Sequence, residues 1–592
     1  MIETKLTLLD LPAFDRKFWA GSFRFTRLGT GAVGGKASGL LFMKDLLGDA
    51  IDPTAYPGVK VDVPKMAVVA IGCFEEFIDR NGLRKLPFDE LADDRIGHAF
   101  QRAELPIELL GDLRALSEQV KTPLAIRSSS LLEDALDRPF AGVYSTKMIP
   151  NNQFDADTRF RRLVEAVKFV WASTHFRQAR DYIRTTGRQP AEEKMAVIIQ
   201  EVVGRRHGDR FYPELSGVAR SYNFYSTPPA RPADGVVNLA LGLGKTIVDG
   251  GVTWTYAPTY PQKSSPFASV DELIAGTQSQ FWAVNMGKPP AYDPVSESEY
   301  LTRGNLQNAE TDETLRFLAS TYDLDRDRVV PGTAARGARI LNFSPLLQLE
   351  LFPLNRLVKA LLAAAEDSLK AKVEIEFAAT IEQHLDQTAV FRLGFLQVRP
   401  MVVPDEIVDV AAEDLASPAA IIASDNVMGN GLELGIRDVV FVSPETFSPL
   451  ETPRIAEELG EINCRLSDDH RPYLLIGFGR WGSSHPSLGI PVNWSQISGA
   501  RAIVEATLPN MNVGLSQGSH FFHNLSSFRA SYFMVRHGGP LPIRWEWLNR
   551  QPVVSETEHV RHVRIKAPLM VRVDGRSGRG VVLASTEAYE SR

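Results

Sequence analysis

The chain has 592 residues, and 44% of them are hydrophobic. That composition supports several cores and predicts roughly three to four domains at ~150 residues each. With 65 basic and 72 acidic residues the net charge is −7, which argues against a general polyanion-binding surface and against nucleic acid as a partner, while a local basic cleft can still take phosphates.

The first residues, MIETKLTLLDLPAFDRKFW, are mixed and acidic, without the basic-then-apolar order of a signal peptide. Residues 23–28 alternate as a strand and run into a glycine-rich loop, 29–35, then a helix from Lys36 to about Leu47. Residues 61–71 read as a strand bent at Pro64, followed by a helix over 74–80. A short buried strand is expected at 124–127, a long helix at 160–186 and an apolar strand at 195–203. A polar loop at 225–235 precedes a strand at 236–241 and a glycine-rich turn at 243–251. An amphipathic helix is predicted over 353–370, then antiparallel strands at 373–378 and 391–398. Pro400 and Pro404 mark a boundary. Beyond it, strands are expected at 439–442 and 473–476, helices at 453–466 and 497–506, and a hairpin from 569–573 and 580–584 around residues 574–578. The two cysteines, Cys73 and Cys464, match neither a metal nor a redox spacing. With apolar runs too short to span a bilayer, they predict a cytoplasmic protein without a membrane partner.

Gly29, Gly31 and Gly34 form a literal GxGxxG between a strand and a helix. That pattern suits a dinucleotide, yet the acid it requires about 20 residues later has only Asp62 as a counterpart. Gly35 and Lys36 instead put an ammonium at a helix N-terminus, where backbone N–H groups favour anions, which suits a triphosphate. A glycine turn with a solvated lysine is the plain alternative. Leu243-Gly244-Lys245-Thr246 imitates a P-loop ending, but the glycine needed five residues before Gly244 is Leu239, so the spacing fails. Arg127, followed by Ser128, Ser129 and Ser130, offers guanidinium and hydroxyl contacts to phosphate. Ser130 with Glu133 also fits a helix capping box. Glu374 and Glu376 share a strand face, as do Gln397 and Arg399. Their oxygens suit Mg²⁺ shared with substrate phosphates, and a surface Glu–Arg salt bridge is the plain alternative.

Six segments then appear in a telling order: GGKASGL (34–40), AIRSSSLLEDALDRPFAGVYST (125–146), MAVIIQEVV (195–203), SGVA (216–219), GLGKTIVDGG (242–251) and FLQVRPM (395–401). In this order they resemble the nucleotide-binding module of the pyruvate phosphate dikinase and phosphoenolpyruvate synthase family. The resemblance implies an α+β, two-lobed ATP-grasp-like module, with lobes at 1–215 and 216–402, followed by an α/β domain at 403–592. It implies ATP and Mg²⁺ as cofactors and phosphotransfer as the activity.

Carried over residue by residue, the resemblance makes Lys36, Arg127 and Arg399 catalytic. Gly34, Gly35, Lys36, Arg127, Thr146, Gln200, Glu201 and Arg399 contact the nucleotide, with Gln200 and Glu201 at the adenine and ribose. Glu376 and Gln397 hold Mg²⁺. The segment between those two is longer than the family pattern and carries Glu382, Gln383 and His384, so Glu374 stands as the alternative to Glu376. On this reading Arg399→Ala and Lys36→Ala weaken ATP binding and leave the fold largely intact.

The roughly 190 residues after Met401 are too few for a TIM barrel plus a mobile domain, and the family's phosphohistidine signature is absent. No pyruvate-to-phosphoenolpyruvate conversion is therefore expected of this chain alone. His485 and His520 follow small residues, and His523 stands three residues after His520; all three read first as ordinary packing or hydrogen-bonding histidines and second as phosphoryl acceptors. A silent nucleotide-sensing regulator and a nicotinamide-dependent oxidoreductase are the rival functions. The sequence assigns neither the acceptor nor the oligomeric state.

Overall fold

The computed structural model describes residues 11–21, 23–131, 142–185, 189, 192–224, 226, 229–262, 269–383, 389–401, 403, 408–483, 488–509, 511, 525 and 530–584. Helices and sheets are mixed along the chain, an α+β protein. Two compact units form: Met1–Ser221 with Val236–Ile247 and Val252–Pro400, and Met401–Arg592 with Tyr222–Gly235 and Val248–Gly251. Among the described residues, no helix is long and apolar enough to cross a membrane.

The first unit is organised on two large sheets. One has five strands in the order Phe25–Leu28, Met66–Val69, Met195–Glu201, Leu124–Ser130 and Lys147–Ile149. The other has six, in the order Trp254–Tyr256, Val236–Ala240, Leu215–Arg220, Lys372–Gln383, Ala389–Met401 and Val59–Asp62. A single apolar core joins them, running from Phe25, Val68 and Ile198 to Ile375, Phe395 and Leu357. The expected strand at 61–71 is in fact two strands. Val59–Asp62 pairs parallel with Ala389–Met401, and Met66–Val69 lies in the other sheet. Pro64 has no N–H to give a ladder, so the chain crosses between sheets there. Asp62 pairs with Arg24 at 2.7 Å, in the wrong sheet for the acid of a dinucleotide fold.

The helix expected over 160–186 is also two helices, Ala156–Ser173 and Arg177–Thr185. Ser173 turns its hydroxyl back to the Val170 carbonyl at 2.7 Å, a local bond that competes with helix continuation. The break inserts His175 into the core, stacked on Phe88 with centroids 4.0 Å apart. Burial first, and then Arg180 and Arg84, pushes the His175 pKa down to about 3. The folded chain therefore keeps this imidazole neutral, while the unfolded chain binds a proton near pH 6.5. Below that pH the unfolded state holds more protons, so stability falls as pH drops from 6.5 towards 3. Between pH 7 and pH 5 this group costs roughly 2 kcal/mol. His175→Phe, which keeps the stack, is expected to lose that much less stability over the same interval in denaturant melts. Equal losses in variant and parent would mean that His175 is not held neutral.

The second unit centres on a seven-stranded sheet. Its four parallel members are Asp438–Val442, Tyr473–Phe478, Ala500–Ala506 and Ser531–Val535. Helix Thr452–Asp468 carries the chain from the first of these to the second. The helix expected at 497–506 is instead strand Ala500–Ala506. Ala502, Ile503 and Val504 are all fully buried, and a strand covered on both faces loses the alternation that identifies strands in sequence. The hairpin near the C-terminus pairs Met570–Asp574 with Arg579–Leu583, and its turn places Gly578 at φ +72°. His384, His485, His520 and His523 lie outside the described residues.

Candidate functional site

The glycine loop is pinned from two sides. On one, the backbone N–H groups of Ile71 and Gly72 donate to the carbonyls of Ala32 and Thr30, each at 3.0 Å. On the other, the Ser129 hydroxyl donates to the Val33 carbonyl at 2.8 Å and accepts from Ala37 N–H at 3.0 Å. Gly34 sits at φ 79° as the residue before helix Gly35–Ala50, which opens with N–H groups that carry partial positive charge. Lys36 is half-buried on the first turn, and its ammonium donates to the Ser128 hydroxyl at 3.3 Å.

Strand Leu124–Ser130 runs three residues further than its sequence pattern implied. Ser128, Ser129 and Ser130 are fully buried strand residues, and Ser129 serves the loop as scaffold. Glu133, the partner in the capping-box reading, lies outside the described residues. Arg127 leaves the opposite face from Ser128 and Ser130 and reaches across to the second sheet. Its Nη1 donates to Gln200 Oε1 at 3.2 Å and to the Leu396 carbonyl at 2.8 Å, and its Nη2 donates to Gln397 Oε1 at 3.0 Å. Glu376 Oε2 lies 4.0 Å away.

Glu374 and Glu376 do share a strand face, but their surroundings differ. Glu374 is held by two arginines: Arg220 Nε donates to Oε2 at 2.5 Å, and Arg399 Nε donates to Oε1 at 2.7 Å. The Glu374 and Arg399 side chains are each 2% exposed, so this is a buried ion pair and not a surface bridge. Glu376 stands 3.8 Å from Arg399 Nη2, and its buried Oε1 accepts no hydrogen bond from the described residues. Of the two carboxylates, Glu376 keeps an acceptor to offer a ligand. Among the described residues, no three His, Cys, Asp or Glu side chains converge as a metal site. A cation at Glu376 and Gln397 would thus complete its shell with substrate oxygens, as Mg²⁺ does at phosphates.

Gln200 and Glu201 part company. Gln200 is buried beside Arg127, whereas Glu201 projects to the other side of its strand and accepts from Trp19 Nε1 at 3.0 Å. Thr146 is half-buried just before strand Lys147–Ile149, one step past the register pair of Ile126 and Lys147, which sets it opposite Arg127. Met148, Ala125 and Gln200 are consecutive register partners across three strands. Met148 and Val202, with Trp282 and Leu301, pack on a small core of Phe211, Leu243, Val284 and Met286, giving an apolar wall beside Gln200. The Leu243–Thr246 turn contributes Leu243 to that wall, and the Ser216 hydroxyl ties the turn down by donating to the Gly242 carbonyl at 2.7 Å. Arg220 is the residue that sequence reasoning missed. It directly follows the SGVA segment on the same strand, and a buried cation was foreseeable once Glu374 faced inward.

Arg127, Arg220, Arg399 and Lys36 outnumber Glu374 and Glu376 by two positive charges, a surplus that favours a polyphosphate. No curated protein matches the chain. Residues 30–417 match the model of the pyruvate phosphate dikinase AMP/ATP-binding domain, and the chain belongs to that family, an ATP/AMP-binding member of the dikinases.

Proposed function

We propose that the first unit is an ATP-grasp-like module that binds ATP with Mg²⁺ and transfers a phosphoryl group from it to an acceptor. The observation that carries this is the convergence of Arg127, Gln200, Gln397 and Glu376, drawn from both sheets, beside the helix that bears Lys36. Lys36 and the loop N–H groups take phosphate oxygens, aided by the helix N-terminus. Arg127 contacts the transferring end, where planar donors match phosphate. Arg399 holds Glu374 and sets the strand face on which Glu376 stands. Gln200 and the Met148–Val202 wall receive the base. Glu376 and Gln397 would hold Mg²⁺, which would supply positive charge against that developing on transfer. Phosphoryl transfer relies mostly on such positioning and charge.

Calorimetry with Mg·ATP is expected to give saturable binding. Lys36→Ala is expected to weaken it about 10- to 150-fold, the cost of one charge-assisted contact, with an unchanged melting curve. Glu376→Gln keeps the shape but loses the metal charge, so it is expected to abolish the gain in affinity that Mg²⁺ gives. No binding at millimolar ATP to folded protein would sink the reading. Binding without ADP, AMP or phosphate release would identify a nucleotide sensor instead.

A further inference from the structure

We infer that the Glu376–Gln397 cation position is filled by the Arg127 guanidinium when no nucleotide is bound, so that this chain takes its divalent cation only together with nucleotide phosphates. The inference rests on the reading of Glu376 and Gln397 as the cation's ligands.

The geometry resembles a cation in an oxygen cage. Four oxygens surround one guanidinium: Gln200 Oε1 at 3.2 Å, the Leu396 carbonyl at 2.8 Å, Gln397 Oε1 at 3.0 Å and Glu376 Oε2 at 4.0 Å. Arg127 donates to Gln397 Oε1 and also pairs with Glu376. It is 12% exposed, so water offers little competition. A hard divalent ion wants these same carboxylate and amide oxygens. It cannot sit there while a fixed positive charge holds them, because like charges at that separation repel strongly in a dry site. Phosphate oxygens resolve the conflict. They are better partners for the planar guanidinium than a neutral amide and a carbonyl, so an arriving triphosphate draws Arg127 onto itself and uncovers Gln397 Oε1 and Glu376 Oε2, while Arg399 stays beside Glu376 Oε1. The guanidinium also ties strands Leu124–Ser130 and Met195–Glu201 of one sheet to Ala389–Met401 of the other, so its release loosens a link between the sheets as the ligand enters.

The experiment is a Mn²⁺ titration, without nucleotide, of the full chain and of R127M, followed by electron paramagnetic resonance of free Mn²⁺. The parent is expected to bind Mn²⁺ weakly. R127M is expected to bind at least about tenfold more tightly, since each vacated charge-assisted contact is worth that much or more. K44M removes an exposed positive charge about two turns further along helix Gly35–Ala50,, and is expected to bind Mn²⁺ as the parent does. If R127M binds no better than the parent, or K44M gains as much as R127M, the inference is overturned. Should R127M fail to fold, R127Q answers the same question: a neutral amide can still hydrogen-bond within the cage but carries no charge, so it too must gain affinity for Mn²⁺, and no gain would overturn the inference. Mg·ATP calorimetry on the parent is read separately. Absent nucleotide binding there removes the functional reading, whereas ATP binding with an unaltered Mn²⁺ response in R127M removes only the inference.

Discussion

Arg399→Ala is expected to destabilise the first unit by about 3–5 kcal/mol, the cost of breaking a buried ion pair from one side. The sequence alone predicted a largely intact fold for this change, on the view that Arg399 reaches out to phosphates. Its position says otherwise. The guanidinium is 2% exposed and donates to Glu374, which is equally buried and shared with Arg220. Truncating Arg399 leaves the Glu374 carboxylate with one of its two described arginine partners and no route to water. An exposed pair at the same place would cost only about 0–1 kcal/mol, so the size of the effect decides between the two descriptions. Denaturant melts of R399A, E374A and the double variant test it. The double variant is expected to lose less than the two single changes added together, because each single change strands the other charge. A parent-like melt for R399A would show that the pair carries little.

Much of the site could be read from period-two logic alone. Glu374 with Glu376, and Gln397 with Arg399, were expected to share strand faces; Arg399 pairs with both carboxylates, and Arg127 reaches both Gln397 and Glu376, which show that they do. What could not be read was which carboxylate the arginines would consume. Arg220 stands opposite Glu374 through the pairing of Leu215–Arg220 with Lys372–Gln383, a register set by two strands 154 residues apart in sequence. Arg127 stood out as a candidate phosphate contact by its place before three serines, yet its partners Leu396 and Gln397 come from a distant strand of another sheet. Two of the misread elements share a cause. Residues 500–506 and 128–130 are strands buried on both faces, where apolar or small residues run on without alternation. Pro64 reads as a bend in one strand, whereas the missing N–H lets the chain change sheets. Local pattern gives the faces of strands; which face meets which is decided by packing that local pattern does not contain.

Gly34→Ala is expected to weaken nucleotide binding by more than about tenfold and to destabilise the first unit by about 2–5 kcal/mol, summing left-handed strain and overpacking. Gly34 has φ +79°, a conformation that side chains adopt rarely,. A Cβ there would lie 1.8 Å from the Ser129 carbonyl oxygen and 2.4 Å from its carbon. That carbonyl cannot retreat easily, because Ser129 is paired with Ala196 inside the five-stranded sheet. The loop must therefore move instead. Its movement breaks the bonds from Ser129 to Val33 and from Ala37 to Ser129, which set the first turn of helix Gly35–Ala50 and with it Lys36. The same helix supplies the control. A Cβ on Gly48 meets nothing within 4 Å, so Gly48→Ala is expected to stabilise by about 0.5–1 kcal/mol through backbone entropy and to leave nucleotide affinity alone. Melting curves and Mg·ATP titrations of both variants separate a loop that must approach its strand closely from a glycine that is merely present. If G34A binds nucleotide like the parent, the glycine loop is not part of the phosphate site, and Lys36 loses the geometric support for its role.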